Sequence, residues 1–113
     1  MGARPDIDVR VPLTGPVRFW SWNEPVFAEA VDISSSGIFV KTPALVPEGR
    51  HITLRIELPG RRAFTVLGKV VRTVRGGVLA VAGMGVRFLD LLPSQREALQ
   101  GFVAQRALVG ALR

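Results

Sequence analysis

Apolar and polar residues alternate with a period of two through most of the chain, and the alternation gives way to a helical spacing only near the C-terminus. From Val17 the pattern sends Val17, Phe19 and Ser21 one way and Arg18, Trp20 and Trp22 the other, as on an extended strand. Asn23-Glu24-Pro25 predicts a turn. Val26 to Ile33 then forms a second strand, in which Phe27, Glu29 and Val31 alternate with Val26, Ala28 and Ala30. Gly37 opens a third strand, Ile38 to Lys41, that stops near Pro43, and Pro47-Glu48-Gly49 is a turn. Ile52 to Leu58 is strictly apolar at even positions and polar at odd ones, the pattern of a half-buried antiparallel strand. After Pro59-Gly60-Arg61-Arg62, Phe64 to Val74 is a β-branched fifth strand with Gly68 at an expected bulge or barrel corner. Gly76-Gly77 turns the chain into a last strand, Val78 to Leu89, where Gly83-Met84-Gly85 marks a bend or a close backbone approach.

Beyond that strand the period changes. Pro93 followed by Ser94-Gln95-Arg96-Glu97 reads as a capping box opening a helix. Ala98, Leu99, Phe102, Val103, Ala107 and Val109 fall at helical spacings and form its expected apolar face. Six short strands and one terminal helix predict an all-β protein: a closed or nearly closed antiparallel barrel with the helix covering an opening or edge. The expected divisions of this single domain are an N-terminal arm over 1–12, the barrel over 13–92 and the helix over 94–109.

Composition narrows the function. A chain of 113 residues fits one domain, and 48% hydrophobic residues suffice for one core. No cysteine is present, which removes disulfides, thiol catalysis and cysteine-ligated metals together. The N-terminus lacks the apolar stretch of a signal peptide and no run is long enough to span a bilayer, so the expected location is the cytoplasm. His51 is the one histidine, at a strand start with no nucleophile motif beside it, and the carboxylates are scattered. The expectation is a binding module rather than an enzyme, with no metal and no cofactor. The net charge of +6 is almost all arginine, since Lys41 and Lys69 are the only lysines. Such a surface suits bidentate recognition of phosphate or guanine edges, and it is equally what an Arg-rich genome and a need for solubility would produce.

Asp32-Ile33-Ser34-Ser35-Ser36-Gly37 closes the second strand and opens the third. On an extended chain Asp32 and Ser34 share a face and Ile33 turns to the core, while Gly37 tolerates a positive φ or a close ligand. By itself this is a hairpin tip. Other landmarks surround it: Arg10-Val11-Pro12-Leu13 before it, then Ile38-Phe39-Val40, Gly68-Lys69-Val70-Val71-Arg72 and Gly83-Met84-Gly85-Val86-Arg87-Phe88. In this order and at these separations the chain resembles the PilZ family from about Arg10 to Val103.

The resemblance implies a six-stranded antiparallel barrel with a C-terminal helix, and a bacterial signalling receptor for cyclic di-GMP that passes a conformational change to a regulatory protein. In that family the nucleotide is held by an R-x-x-x-R motif on the N-terminal arm and a D/N-x-S-x-x-G motif on the barrel. Asp32, Ser34 and Gly37 match the second motif in full, and Arg10 falls where the second arginine belongs. The first arginine is replaced by Asp6, with Arg4 two positions earlier as the nearest substitute and Pro5 restricting it to extended geometry. Loss of one charge-assisted contact costs about 1.5–3 kcal/mol, roughly tenfold to a hundredfold in affinity. The alternative is therefore a degenerate PilZ domain that binds no cyclic di-GMP and acts as a protein–protein interaction module.

Trp20 and Trp22 are assigned to the outer face beside Arg18, where either a terminal element covers them or they form a patch for a partner or a homodimer. General nucleic-acid binding is not expected, because no exposed aromatic series interleaved with basic residues is visible along the chain.

Overall fold

The computed structural model describes residues 8–78 and 80–111, in which six antiparallel strands close into a barrel in the order β1-β2-β3-β6-β5-β4. The strands are β1 (Val11–Ser21), β2 (Glu24–Ile33), β3 (Gly37–Lys41), β4 (His51–Ile56), β5 (Phe64–Val74) and β6 (Gly83–Leu89), followed by helix α1 (Pro93–Ala111). Inward-facing residues of every strand meet in one core that includes Phe19, Ile33, Ile38, Leu54, Ile56 and Met84. Leu99, Phe102 and Val103 of α1 join it, each buried side chain contributing about 1.5–3 kcal/mol.

Several boundaries differ from the sequence expectation, each for a local reason. Strand β1 begins at Val11, because Val11 and Leu13 already alternate inward and extend the ladder into the arm. Its hairpin to β2 turns at Trp22-Asn23 rather than Asn23-Glu24-Pro25, with Ser21 paired to Glu24. Both turn residues have positive φ, 55° and 65°, as a two-residue type I′ loop requires. Asparagine tolerates that region, whereas a tryptophan there costs about 1–2 kcal/mol. Strand β6 starts at Gly83, not Val78, and Val78 is fully exposed.

Gly68 marks no bulge. It lies opposite Ile52 and Phe88 in unbroken register, and a Cβ there would run into Val86 and Leu54. Helix α1 starts one residue early, with Pro93 at its first position, where the missing N–H is not needed. Gln95 rather than Ser94 supplies the cap: its Oε1 accepts from the Leu92 amide at 3.0 Å, while its Nε2 donates to the Thr65 carbonyl at 2.9 Å. The apolar face of α1 ends at Val103. Ala107 and Val109, expected on it, are exposed.

Candidate functional site

Two β-bulges set the direction of the side chains that matter. In β2 the register passes from Ala30 opposite Val40 to Asp32 opposite Phe39, leaving Val31 unpaired on that side. The extra residue reverses the alternation, so Asp32 turns outward while Ala30 before it and Ile33 after it are buried. In β5, Val71 is the extra residue between Val70 opposite Val86 and Arg72 opposite Gly85. Arg72, which regular alternation places on the side of Val66 and Val70, turns outward in the same way.

Asp32, Phe39, Gly85 and Arg72 consequently form one lateral row across β2, β3, β6 and β5. Gly85 carries no side chain, and the row dips there into a groove of about 350 Å³ lined by Arg10, Asp32, Phe39, Val71, Arg72 and Gly85. The Arg72 guanidinium stands 5.3 Å from the centre of the Phe39 ring. At the opposite lip the Arg10 Nη1 donates to Asp32 Oδ1 at 3.0 Å, and with side chains 41% and 35% exposed the pair is open to water. An ion pair this exposed is worth about 0–1 kcal/mol.

Ser34 and Gly37 build the turn that holds this edge in place. The chain leaves extended geometry after Ile33, so Ser34 does not share the face of Asp32; it is fully buried. Its Oγ accepts from the amides of Ser36 and Gly37, each at 3.1 Å, and its own amide donates to the Gly37 carbonyl at 2.8 Å. Gly37 does not have a positive φ. It is small because β6 passes close by, and a Cβ would strike the Val86 carbonyl. Ser36 Oγ donates to Asp8 Oδ1 at 2.8 Å, fastening the arm across the turn beside a second, polar cleft that reaches Arg87 and Arg96.

Of the residues expected at the site, Arg10 and Asp32 meet directly, and Ser34 and Gly37 lie immediately behind them. Arg4 and Asp6 fall outside the described residues. Phe39, Arg72 and Asp8 were not anticipated. Arg72 belongs to the block that carries the family resemblance, but only the bulge at Val71 shows that it faces outward.

Trp22 lies beyond β1 in the positive-φ turn, so strand alternation does not set its direction relative to Trp20. Trp20 is half-buried beside Arg18, whereas Trp22 is 73% exposed. His51 is exposed at the start of β4, opposite Lys69. Among the described residues no three His, Asp or Glu side chains converge on a metal-sized site, and no helix is long and apolar enough to cross a membrane.

The model of the PilZ domain family matches residues 7–105. No curated protein matches the chain by sequence. Among solved structures, the Bacillus subtilis inhibitor of motility MotI/DgrA is similar with a TM-score of 0.82 at 20% identity, over 94% of this chain and 53% of that one. The PilZ domain of YcgR from Escherichia coli, solved with c-di-GMP, gives a TM-score of 0.71 at 14% identity over 95% of both chains. The K. pneumonia MrkH–c-di-GMP complex gives 0.77 at 14% identity, over 96% of this chain and 55% of that one. At these identities the likeness is one of fold, and the chain spans about half the length of MotI/DgrA and MrkH.

Proposed function

The chain belongs to the PilZ domain family, and from that membership we propose that it is a cyclic di-GMP receptor whose nucleotide occupies the groove between Arg10–Asp32 and Arg72. The observation that carries this is the 3.0 Å contact between Arg10 of the arm and Asp32 at the end of β2, one residue from each half of the family's nucleotide motif. The chemistry is complementary. Guanine offers O6 and N7 to an arginine fork, while its ring N–H and exocyclic amine suit a carboxylate such as Asp32. Arg10 and Arg72 set two cations at the lips of the groove for a ligand with two phosphates.

In the free protein Arg10 and Asp32 neutralise one another. Nucleotide binding exchanges that weak, hydrated pair for ligand contacts and draws the arm to a new position, changing a surface that a regulatory protein can read. Structures of YcgR and MrkH with c-di-GMP support the ligand class. Isothermal titration of the folded chain with cyclic di-GMP tests the proposal. Saturable heat is expected, weakened roughly tenfold to a hundredfold by Arg10→Ala or Asp32→Ala. Absence of heat at tens of micromolar ligand overturns it.

One feature favours a second reading: Asp6 stands where the family's first arginine belongs. A degenerate domain acting as a nucleotide-independent interaction module would bind no cyclic di-GMP until Asp6→Arg restores the motif. Titration of that variant beside the unmodified chain separates the two.

A further inference from the structure

A second surface lies away from the groove, on the outer wall of β1, β2 and β4. Arg18 of β1 is opposite Phe27 of β2 on one side and Arg55 of β4 on the other, so two arginines face each other directly in an antiparallel ladder. Like charges in that position oppose folding. Among the described residues no carboxylate pairs with Arg18, Arg55 or Arg50. Arg18 and Arg50 lie against aromatic rings instead: Arg18 is 4.9 Å from the centre of Phe27 and 5.9 Å from that of Trp20, and Arg50 is 4.4 Å from that of Trp22. Phe27 and Trp22 are 74% and 73% exposed. Trp22 also occupies a left-handed turn position that suits glycine or asparagine better. Facing cations, largely exposed rings and a tryptophan in a left-handed turn disfavour the isolated fold, and they gather on one wall and its rim. Strain of that kind points to function.

We propose that this wall, centred on Arg18, Phe27 and Arg55 with Trp20, Trp22 and Arg50 beside it, docks an acidic segment of a partner protein. Arginine and tryptophan are the favoured anchors of protein interfaces, and unpaired guanidinium forks call for carboxylates. A second copy of this chain is disfavoured by charge, since each copy brings the same arginines and a net +6. Single-stranded nucleic acid stacks bases on open rings, whereas here a guanidinium already lies over a face of each. An anionic bilayer would meet Glu24 and Glu29, exposed on β2 at the margin of the patch, which a folded partner can leave in solvent. The proposal does not depend on nucleotide binding.

Fluorescein-labelled poly-L-glutamate titrated into the full chain is the test, followed by anisotropy and by emission of Trp20 and Trp22, the only tryptophans. Binding with a change in tryptophan emission is expected. Arg18→Glu with Arg55→Glu should weaken it about tenfold or more, against less than about threefold for Arg62→Glu with Arg106→Glu, which alter net charge equally. Trp22→Gly should weaken binding while raising the melting temperature, a pairing that misfolding cannot produce. Equal losses in the two double variants overturn the proposal. So does a stronger dependence on Arg18 and Arg55 for oligo-dT, for phosphatidylglycerol vesicles or for self-association in sedimentation. Cyclic di-GMP titration of the same variants is a separate readout and should be unchanged.

Discussion

Ser34 would be taken for a ligand contact from its place in the motif, and its burial gives it a definite structural task as well. Its hydroxyl, itself fully buried, accepts from two amides inside the β2–β3 turn. Ser34→Ala leaves the buried Gly37 amide and the part-buried Ser36 amide without that acceptor, and chemical denaturation should record a loss of about 1–3 kcal/mol. Asp32→Ala removes only one half of an exposed pair, and stability should change by less than about 1 kcal/mol. Neighbouring residues of one motif thus separate by experiment into a residue that builds the turn and a residue that faces the groove.

At the scale of the strand, the two bulges decide what the groove contains. An extra residue at Val31 and another at Val71 each reverse the alternation and swing Asp32 and Arg72 onto the outer wall, on either side of Phe39 and Gly85. Gly85 leaves the floor of the row open: a Cβ there meets nothing closer than Arg72 Cβ at 3.6 Å. Gly85→Val should therefore fold, as judged by circular dichroism, while filling the groove and reducing cyclic di-GMP affinity at least about tenfold. Its neighbour differs. Alanine at Gly83 would collide with the Phe39 ring and the Val40 carbonyl, so that substitution should lower stability instead.

At the scale of the whole molecule, charge and shape act together. A net charge of +6 surrounds a groove that is open to solvent, so the affinity for a doubly charged nucleotide should fall with ionic strength. Between about 50 and 300 mM salt a loss of roughly twofold to tenfold is expected from calorimetry. Aromatic rings interleaved with arginines, not visible along the chain, appear once the barrel closes. Phe27 and Arg50 come from different parts of the sequence, and the closed barrel sets Phe27 against Arg18 and Arg50 against Trp22.

The architecture was legible in the order of residues alone. Period-two alternation through Ile52–Ile56 and Phe64–Val70 can bury one face only as strands, and the shift to helical spacing at Leu99, Phe102 and Val103 supplies the cover. The same order also placed the motif at Asp32–Gly37, because turn chemistry is local. Boundaries slipped where local signals competed, as at Trp22, where closure of the hairpin overrode the preference of a bulky residue. Direction and company came from the packing of strand on strand. A bulge is a mismatch between two strands and cannot be read from either alone, so the outward turn of Arg72 was hidden until β5 met β6. The same holds for Ser34, whose hydroxyl turns inward once the chain folds back on Gly37, and for Arg18 and Arg55, made neighbours by barrel closure across 37 positions of chain.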